Sequence, residues 1–364
     1  MSVFRELFQC AYHDVKKTII AIACDNMNNT SKSAITSWIS DLFDYNMDEG
    51  KCYRGQLLAN AAYSIQSFQA GNSVPKDSNC AEFQKDISRI CRLGWTVELL
   101  HSFYLIVDDM MDNSLTRRGK PCYYRQNGVG IRAFNDAMLL NSVIPCVIEQ
   151  DWNSHPNCEQ MLRAFNRTNL VTVIGQHLDS TATVSFDFAT VSPYDAYDQI
   201  VASKTSQYTF VLPLQLALLC SGINDSQITM QTEHFAQKLG KVFQVQDDYL
   251  DLYGDPDKTG KQGSDILERK CTWFLVKALS KSTEQRFVDD INLLKSYYDS
   301  RAPMTATEET DVKRIFKSLG LKEDCELCVQ YELDQLNRVC DKFELLPLRN
   351  VLIEMVEELR FRNK

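Results

Sequence analysis

ELLHSFYLIVDDMMDNSLTRRG, residues 98–119, is the stretch that decides how this chain folds and where its chemistry lies. Asp108, Asp109 and Asp112 follow an apolar, aromatic run with helical spacing, so Asp108 and Asp112 share one helix face. Neighbouring carboxylates are costly in a low-dielectric cleft unless a cation lies between them. Because the ligands are all oxygens, the pattern favours a hard divalent ion, Mg²⁺ before Ca²⁺ or Zn²⁺.

The residues on either side of these aspartates indicate what the metal would hold. Arg117 and Arg118 follow them and can bind phosphate oxygens. Phe103 and Tyr104 precede them, and Tyr104 lies one helical turn before Asp108, about 6 Å along the axis. The stretch therefore predicts a site for a diphosphate with a hydrocarbon tail. The alternative is a solvated acidic helix end followed by a basic loop.

A second acidic motif makes that alternative a poor explanation. DDYLD, with Asp247, Asp248 and Asp251, also follows an apolar helical turn and is followed by a glycine-rich segment with Lys261. Two opposed carboxylate clusters are what a clamp of several Mg²⁺ ions on a diphosphate requires.

Two further segments carry candidate phosphate ligands. Lys51 and Arg54 in GKCYRG precede a predicted helix, where both can reach one anion. Lys204 and Thr205 lie inside an otherwise apolar helical pattern, where a lysine is costly unless it is paired. The alternatives are a surface basic pair for the first segment and a lysine that extends to solvent for the second.

Helical periodicity covers almost the whole chain and predicts helices that include residues 195–220 and 268–279, with loops at 26–33 and 72–79. The 364 residues include only 14 glycines and 9 prolines, and no linker rich in Pro, Gly or Ser divides them. We therefore predict an all-α, single-domain bundle, with an N-terminal helix and loop over residues 1–34 and a helical catalytic domain over residues 35–364.

Composition limits the partners and the compartment. The net charge of −9 disfavours nucleic acid and anionic membranes, so phosphate must be bound by local cationic clusters. The 13 cysteines have no framework spacing, which favours a reducing compartment, and we expect the cytosol. Cys325 and Cys328 form a lone CxxC that we interpret as helix packing. Because no run reaches 18 apolar residues, we expect no membrane span.

The motifs together resemble a known family. GKxxRG, ELLxxFxLxxDDxMDxSxTRRG, GQxLD, KT, FQxQDDYLDxxGDPxxTGKxGxDI and KCxW resemble farnesyl diphosphate synthase and its short-chain trans-prenyltransferase relatives over about residues 35–364. The resemblance implies an all-α homodimer around a deep central cavity, with three Mg²⁺ ions. It implies condensation of dimethylallyl or geranyl diphosphate with isopentenyl diphosphate to give farnesyl diphosphate.

The resemblance also implies residue roles. The metal set is Asp108, Asp112 and Asp247, supported by Asp109, Asp248 and Asp251. The allylic diphosphate would be held by Arg117, Lys204, Gln244, Lys261 and Lys270. The isopentenyl diphosphate pocket would comprise Lys51, Arg54, His101 and Arg118, completed by Arg360 or Arg362. Thr205 and Gln244, with Lys204, resemble the polar groups near the developing carbocation. Phe103 and Tyr104 resemble the pair that stops growth at fifteen carbons.

Several positions depart from the family pattern. They are Asp48 and Glu49 before the first glycine, Tyr53, His101, Ser180 and Gln207. One explanation is ordinary drift. A second hypothesis is a terpene synthase that converts farnesyl or geranyl diphosphate to a hydrocarbon or alcohol without condensation. A third is an inactive subunit that binds diphosphate or regulates a partner. The retained basic pocket favours condensation.

Overall fold

The structure is a computed structural model that describes residues 2–47, 50–71, 81–185, 192–260, 263–300 and 302–362. The all-α prediction is confirmed. The helices are α1 Ser2–Ala23, α2 Asn29–Asn46, α3 Tyr53–Gln69, α4 Ala81–Met111, α5 Arg132–Trp152, α6 Cys158–Ser185, α7 Pro193–Ile200, π1 Val201–Val211, α8 Leu212–Cys220, α9 Ser226–Tyr253, α10 Pro256–Thr259, α11 Trp273–Ser280, α12 Val288–Asp299, α13 Ala306–Ser318, α14 Leu321–Cys340 and α15 Leu346–Arg360.

Helix α4 is central to the fold and ends in the first acidic motif. Its middle is buried on all sides, with Trp95 at 1% and Leu99 at 0% exposure, as expected for a helix that is apolar all round. In the described part of the chain, Lys85–Met111 is long and apolar enough to cross a membrane, but 83% of its most apolar window is buried within the fold. Such burial is typical of a core helix.

The N-terminal helix packs directly on this core. The indole Nε1 of Trp95 donates a hydrogen bond of 2.7 Å to the carbonyl oxygen of Phe8, and the two rings stack with centroids 5.0 Å apart. Helix α1 therefore buries its apolar face against α4.

The predicted helix over residues 195–220 is confirmed as helical, but its middle is a π-helix. Helix α7, π1 and α8 are continuous, and the eleven residues of π1 are π-helical, a conformation that is frequent at functional sites. Close neighbours enclose π1 on two sides: a Cβ on Gly175 of α6 would collide with the Lys204 backbone nitrogen, and a Cβ on Gly240 of α9 would collide with the Ser206 side chain. Helices α6 and α9 thus approach π1 at backbone distance.

Three local predictions need correction or cannot be compared. The loop predicted over 26–33 is shorter than expected, because α2 already begins at Asn29. The Asn28 side chain caps this helix by accepting a hydrogen bond of 2.9 Å from the Ser31 backbone nitrogen. The helix predicted from residue 268 begins only at Trp273. The loop predicted over 72–79 lies outside the described residues.

A short hairpin follows the first acidic motif, although no strand was predicted. Strands β1 (Thr116–Arg117) and β2 (Lys120–Pro121) pair antiparallel. The two residues between them, Arg118 and Gly119, have φ of 54° and 75°. Arg117 therefore lies in the first strand, and Arg118 lies within the tight turn.

Candidate active site

Two lysines and three carboxylates meet beside the end of α4. Lys204 Nζ lies 3.2 Å from Asp108 Oδ1 and 2.6 Å from Asp179 Oδ2. Lys270 Nζ lies 2.7 Å from Asp112 Oδ2 and 3.1 Å from the same Asp179 oxygen. Asp179 therefore bridges the two ammonium groups. Lys204 is paired inside the protein and does not extend to solvent, and we call these five residues the first cluster.

The charges in the first cluster shift the carboxylates in opposite directions. Burial raises the pKa of Asp108, but the Lys204 and Lys270 ammonium groups outweigh it, and the pKa lies below its ordinary value. Burial and the Asp108 charge raise the pKa of Asp112. Burial is likewise outweighed at both lysines, whose pKa values are raised mainly by neighbouring carboxylates. Asp108 is thus a stable anion beside two stable cations.

Asp109 has a different environment from Asp108 and Asp112 of the first cluster. It is 3% exposed, and its Oδ1 accepts a hydrogen bond of 2.5 Å from Arg117 Nη2. The same Arg117 nitrogen lies 3.7 Å from Asp108 Oδ2. Asp109 therefore orients Arg117 toward the first cluster, a supporting position.

Asp248 in the second motif is buried at 4% exposure. It accepts hydrogen bonds from Tyr197 Oη at 2.9 Å, the Trp273 backbone nitrogen at 2.7 Å and Gln244 Nε2 at 2.8 Å. Burial raises its pKa to about 7, although these donors lower it. These contacts fix α9 against α7 and α11. Asp248 is therefore buried between helices and holds the second motif in place.

Asp247 and Asp251 differ in exposure and in partners. Asp251 accepts from the backbone nitrogens of Ser264 at 3.2 Å and Asp265 at 3.1 Å. The Asp247 side chain is 56% exposed and lies 2.8 Å from Arg362 Nη2. Asp247 is therefore the motif carboxylate that is most accessible to a ligand.

Adjacent residues of π1 connect to both acidic motifs, one directly and one through Gln244. Lys204 binds Asp108, as described above, and Thr205 Oγ1 donates a hydrogen bond of 2.6 Å to Gln244 Oε1. Gln244 in turn donates to Asp248. The two motifs, far apart in sequence, are thus joined through two consecutive side chains.

Arg54 is the centre of a separate cationic pocket. It is 9% exposed and donates to His101 Nε2 at 3.3 Å, Thr209 Oγ1 at 3.2 Å and Tyr208 Oη at 3.3 Å. Burial, and then the charge of Arg54, lowers the pKa of His101 well below its ordinary value. Because Arg54 can only donate, Nε2 accepts and the proton is assigned to Nδ1. Nδ1 is buried with no hydrogen-bond partner among the described residues.

Other predicted pocket residues divide into near and distant ones. A Cβ on Gly50 would lie 3.3 Å from the Arg118 guanidinium nitrogens, so Arg118 lies beside the loop that carries the exposed Lys51. Arg362 lies over the Phe243 ring at 3.8 Å. Arg360 instead pairs with acidic residues of α14 and α15, at 2.9 and 3.4 Å, and does not complete the pocket.

Three positions that the sequence analysis singled out lie outside the described residues, and two residues that it did not single out contact the first cluster. Lys261, and the departures Asp48 and Glu49, lie outside the described residues. The sequence analysis assigned no role to Asp179 or to Gln176, whose Nε2 donates to Asp108 Oδ1 at 2.9 Å. Both belong to the quoted GQxLD motif, and their spacing of three residues was the signal that they share one helix face.

An aromatic group lies below the first cluster. The rings of Phe103 and Tyr104 have centroids 4.9 Å apart, and Tyr104 and Tyr208 have centroids 5.2 Å apart. Tyr104 Oη donates a hydrogen bond of 2.6 Å to Asn169 Oδ1. The side chains predicted to limit the tail thus form one packed unit.

The donor set suits Mg²⁺ on one condition. No three His, Cys, Asp or Glu side chains of the described residues form a ready cage for a metal. Mg²⁺ commonly uses one or two carboxylates and takes its other ligands from water and substrate phosphate. Asp108, Asp112 and Asp247 fit that mode as oxygen donors, provided that a diphosphate supplies further oxygens.

Comparisons with known proteins agree with these features. A family model described as polyprenyl synthetase matches residues 36–317. Farnesyl diphosphate synthase of Dictyostelium discoideum is 35% identical over 294 residues, 79% of this chain and 72% of that protein. Farnesyl pyrophosphate synthase of Gallus gallus is 32% identical over 328 residues, 90% of this chain and 84% of that protein. The solved structure of T. brucei farnesyl diphosphate synthase complexed with minodronate has a TM-score of 0.86 and 27% identity, and the match covers 99% of this chain and 100% of that one.

Proposed function

Because the chain belongs to the polyprenyl synthetase family, we propose that it is a trans-prenyltransferase that condenses dimethylallyl or geranyl diphosphate with isopentenyl diphosphate to give farnesyl diphosphate. The observation that carries this proposal is that adjacent residues of π1 connect to both acidic motifs: Lys204 contacts Asp108 directly, and Thr205 reaches Asp248 through Gln244. An allylic diphosphate bound there has its leaving group between the motifs and its tail toward Tyr104.

The first task of the site is to stabilise the departing diphosphate. Mg²⁺, with three ions expected, would be held by Asp108, Asp112 and Asp247 and would neutralise charge on the leaving oxygens. Lys204, Lys270 and Arg117, together with Gln244 and Lys261, would bind the remaining oxygens of the allylic diphosphate. Supporting this, Lys204 and Lys270 already lie against the carboxylates that a metal would draw away, which frees both ammonium groups for phosphate.

The second task is to protect and direct the allylic cation. Thr205 Oγ1 donates its hydrogen bond to Gln244 Oε1. The lone pairs of Oγ1 are therefore left to face the developing positive charge. Apolar and aromatic walls exclude water, which would otherwise trap the cation as an alcohol.

The third task is to bring the nucleophile. Lys51, Arg54, His101 and Arg118 would hold isopentenyl diphosphate, whose double bond forms the new C–C bond to the allylic carbon. The proton that is then lost goes to the released diphosphate. The three hydrogen bonds that fix Arg54 support condensation over the terpene synthase hypothesis, because a synthase has no second diphosphate for a prepared cationic pocket.

We also propose a homodimer. Two neighbouring helices and the residue before one of them expose large apolar side chains: Ile131 at 79% just before α5, Phe134 at 54% and Met138 at 40% on α5, and Leu170 at 55%, Val173 at 52% and Ile174 at 49% on α6. Contiguous exposed apolar surface of this kind marks interaction sites. A two-fold axis would pair this face with itself.

The remaining expectations concern domains and compartment. We propose one domain overall, residues 1–34 and 35–364 together, supported by the packing of Phe8 on Trp95. We propose the cytosol, supported by the twelve described cysteines, which are all free thiols.

Product analysis tests the proposed function. The protein and Mg²⁺ are incubated with geranyl and isopentenyl diphosphates, and separately with farnesyl diphosphate alone. Farnesyl diphosphate in the first reaction is expected. Hydrocarbons or alcohols in the second, without elongation in the first, would establish the synthase, and no product in either would establish the binding subunit.

Asp108→Ala tests the metal assignment. We expect turnover to fall by about a hundredfold or more, because several kcal/mol of charge stabilisation are lost and 1.36 kcal/mol is a tenfold rate change. Glu159→Ala on the exposed side of α6 is the matched control and should retain activity. Near-normal turnover of a folded Asp108→Ala protein would refute the assignment.

A further inference from the structure

Tyr104 occupies the position where a growing tail would end. It precedes Asp108 by one helical turn, on the same face of α4. Its ring packs between Phe103 and Tyr208, with centroids at 4.9 and 5.2 Å. Under the proposed function the ring would lie below the diphosphate, and its orientation would set how far a tail can extend.

The hydroxyl group of Tyr104 is anchored outside its own helix. Oη donates to Asn169 Oδ1 at 2.6 Å and approaches the Asn169 carbonyl oxygen at 3.2 Å. Asn169 Nδ2 donates to Asn141 Oδ1 at 3.3 Å. A relay of side chains thus connects α4 to α6 and then to α5.

Loss of this anchor has an asymmetric consequence. If Asn169 loses its amide, the Tyr104 hydroxyl loses its 2.6 Å acceptor and keeps the Asn169 backbone carbonyl oxygen at 3.2 Å, so the ring is drawn toward that oxygen. If the hydroxyl is removed as well, no unsatisfied donor remains and the ring can stay packed. The position of the ring therefore depends on the Asn169 acceptor only while the hydroxyl is present.

We propose that Asn169 is a positioning residue for chain length. Its side-chain oxygen accepts a hydrogen bond from the Tyr104 hydroxyl group and so fixes the Tyr104 ring as the floor of the tail cavity. This inference rests on the proposed function, because it assumes that a prenyl tail lies above Tyr104. It adds to the two aromatic residues a determinant on a different helix.

A binding series tests this without requiring turnover. Non-ionising thiolodiphosphate analogues with geranyl, farnesyl and geranylgeranyl tails are titrated into the protein with Mg²⁺ by calorimetry. The wild type should bind the farnesyl analogue at least about tenfold more tightly than the geranylgeranyl analogue, about 1.4 kcal/mol. Asn169→Ala should reduce this ratio to about threefold or less, and its products should extend to twenty carbons.

Three companion variants separate positioning from general damage. Tyr104→Phe should keep the wild-type ratio, and the double variant Tyr104→Phe with Asn169→Ala should keep it too. Asn169→Asp, which preserves an acceptor oxygen, should restore discrimination. Asn166→Ala, an exposed position on the same helix, is the control and should behave as the wild type.

The outcomes decide between the two proposals. An unchanged length ratio in Asn169→Ala, or an equal loss in the Tyr104→Phe background, overturns the positioning role and leaves the proposed function intact. A wild type that binds none of the analogues overturns the proposed function and this inference with it. Should Asn169→Ala not fold, Asn169→Ser, which is too short to reach the hydroxyl, is measured instead with the same expectation.

Discussion

Asp179→Asn is the substitution whose effect follows most directly from the geometry of the first cluster. Asp179 Oδ2 lies 2.6 Å from Lys204 Nζ and 3.1 Å from Lys270 Nζ. The amide has the same size and still offers one oxygen to the two ammonium groups, but it carries no charge. The variant therefore keeps two neighbouring cations and loses the anion between them.

The magnitude follows from burial. Removing one partner of a buried ion pair costs about 3–5 kcal/mol. The Asp179 side chain is 8% exposed, but those of Lys204 and Lys270 are 24% and 13% exposed, and both lysines retain another carboxylate. We therefore expect a loss of about 2–4 kcal/mol in the free energy of unfolding. For a chain of this length that corresponds to a fall in Tm of about 3–5 °C.

Urea unfolding and thermal melting measure this loss, with Asp44→Asn as the control. The Lys16–Asp44 pair has the same 2.6 Å separation, but Asp44 is 59% exposed, so its loss should cost less than about 1 kcal/mol. Inorganic diphosphate should raise the Tm of Asp179→Asn more than that of the wild type, because the anion replaces the missing charge. Equal losses in both variants would refute the reasoning that burial of the bridge, and not the bare ion pair, stabilises the site.

Three further predictions concern pH, metal competition and assembly. The pKa of His101 is lowered in the folded protein, so the unfolded chain binds more protons below about pH 6.5, and the free energy of unfolding should fall as the pH decreases. His101→Gln should remove up to about 1.36 kcal/mol per pH unit of that slope, measured by urea unfolding at several pH values. Arg362→Ala should lower the Mg²⁺ concentration for half-maximal activity by no more than about fivefold, because an exposed ion pair with Asp247 is worth up to about 1 kcal/mol. Phe134→Asp should convert a dimer to a monomer in light scattering, whereas Phe68→Asp, also exposed, should not.

Each of these has a clear contrary result. An unchanged pH slope in the glutamine variant would mean that His101 is not buried in its neutral form. A higher Mg²⁺ requirement in the Arg362 variant would mean that this arginine assists metal binding and does not compete with it. A Phe134 variant that remains dimeric would place the subunit contact on another face.

Periodicity predicted the extent of most helices because apolar residues recur every three or four positions and burial follows that pattern. It did not predict π1, because no residue type in Val201–Val211 marks a five-residue hydrogen-bond spacing. The segment before Trp273 was predicted as helix for a related reason. Its polar and apolar residues have helical spacing, but Arg269 adopts a positive φ of 54° and ends any regular turn.

The site was predictable where residue type alone decides the chemistry. The aspartates and arginines of both motifs were identified because few other groups bind a metal diphosphate. The sequence did not predict which of these aspartates are exposed and which are buried. Asp247 and Asp248 are adjacent in sequence, yet one is exposed and the other buried, because successive residues on a helix point about 100° apart. Asp179 was missed because its partners, Lys204 and Lys270, come from distant parts of the chain.

The glycines that bring α6 and α9 against π1 have a consequence for how such a protein diversifies. Because α6 and α9 already lie against π1 at Gly175 and Gly240, a larger residue at either position would push π1, and with it Lys204 and Thr205, away from the groups that they contact. Substitutions that preserve turnover are therefore expected away from these two glycines, for example among the aromatic side chains that lie below the first cluster.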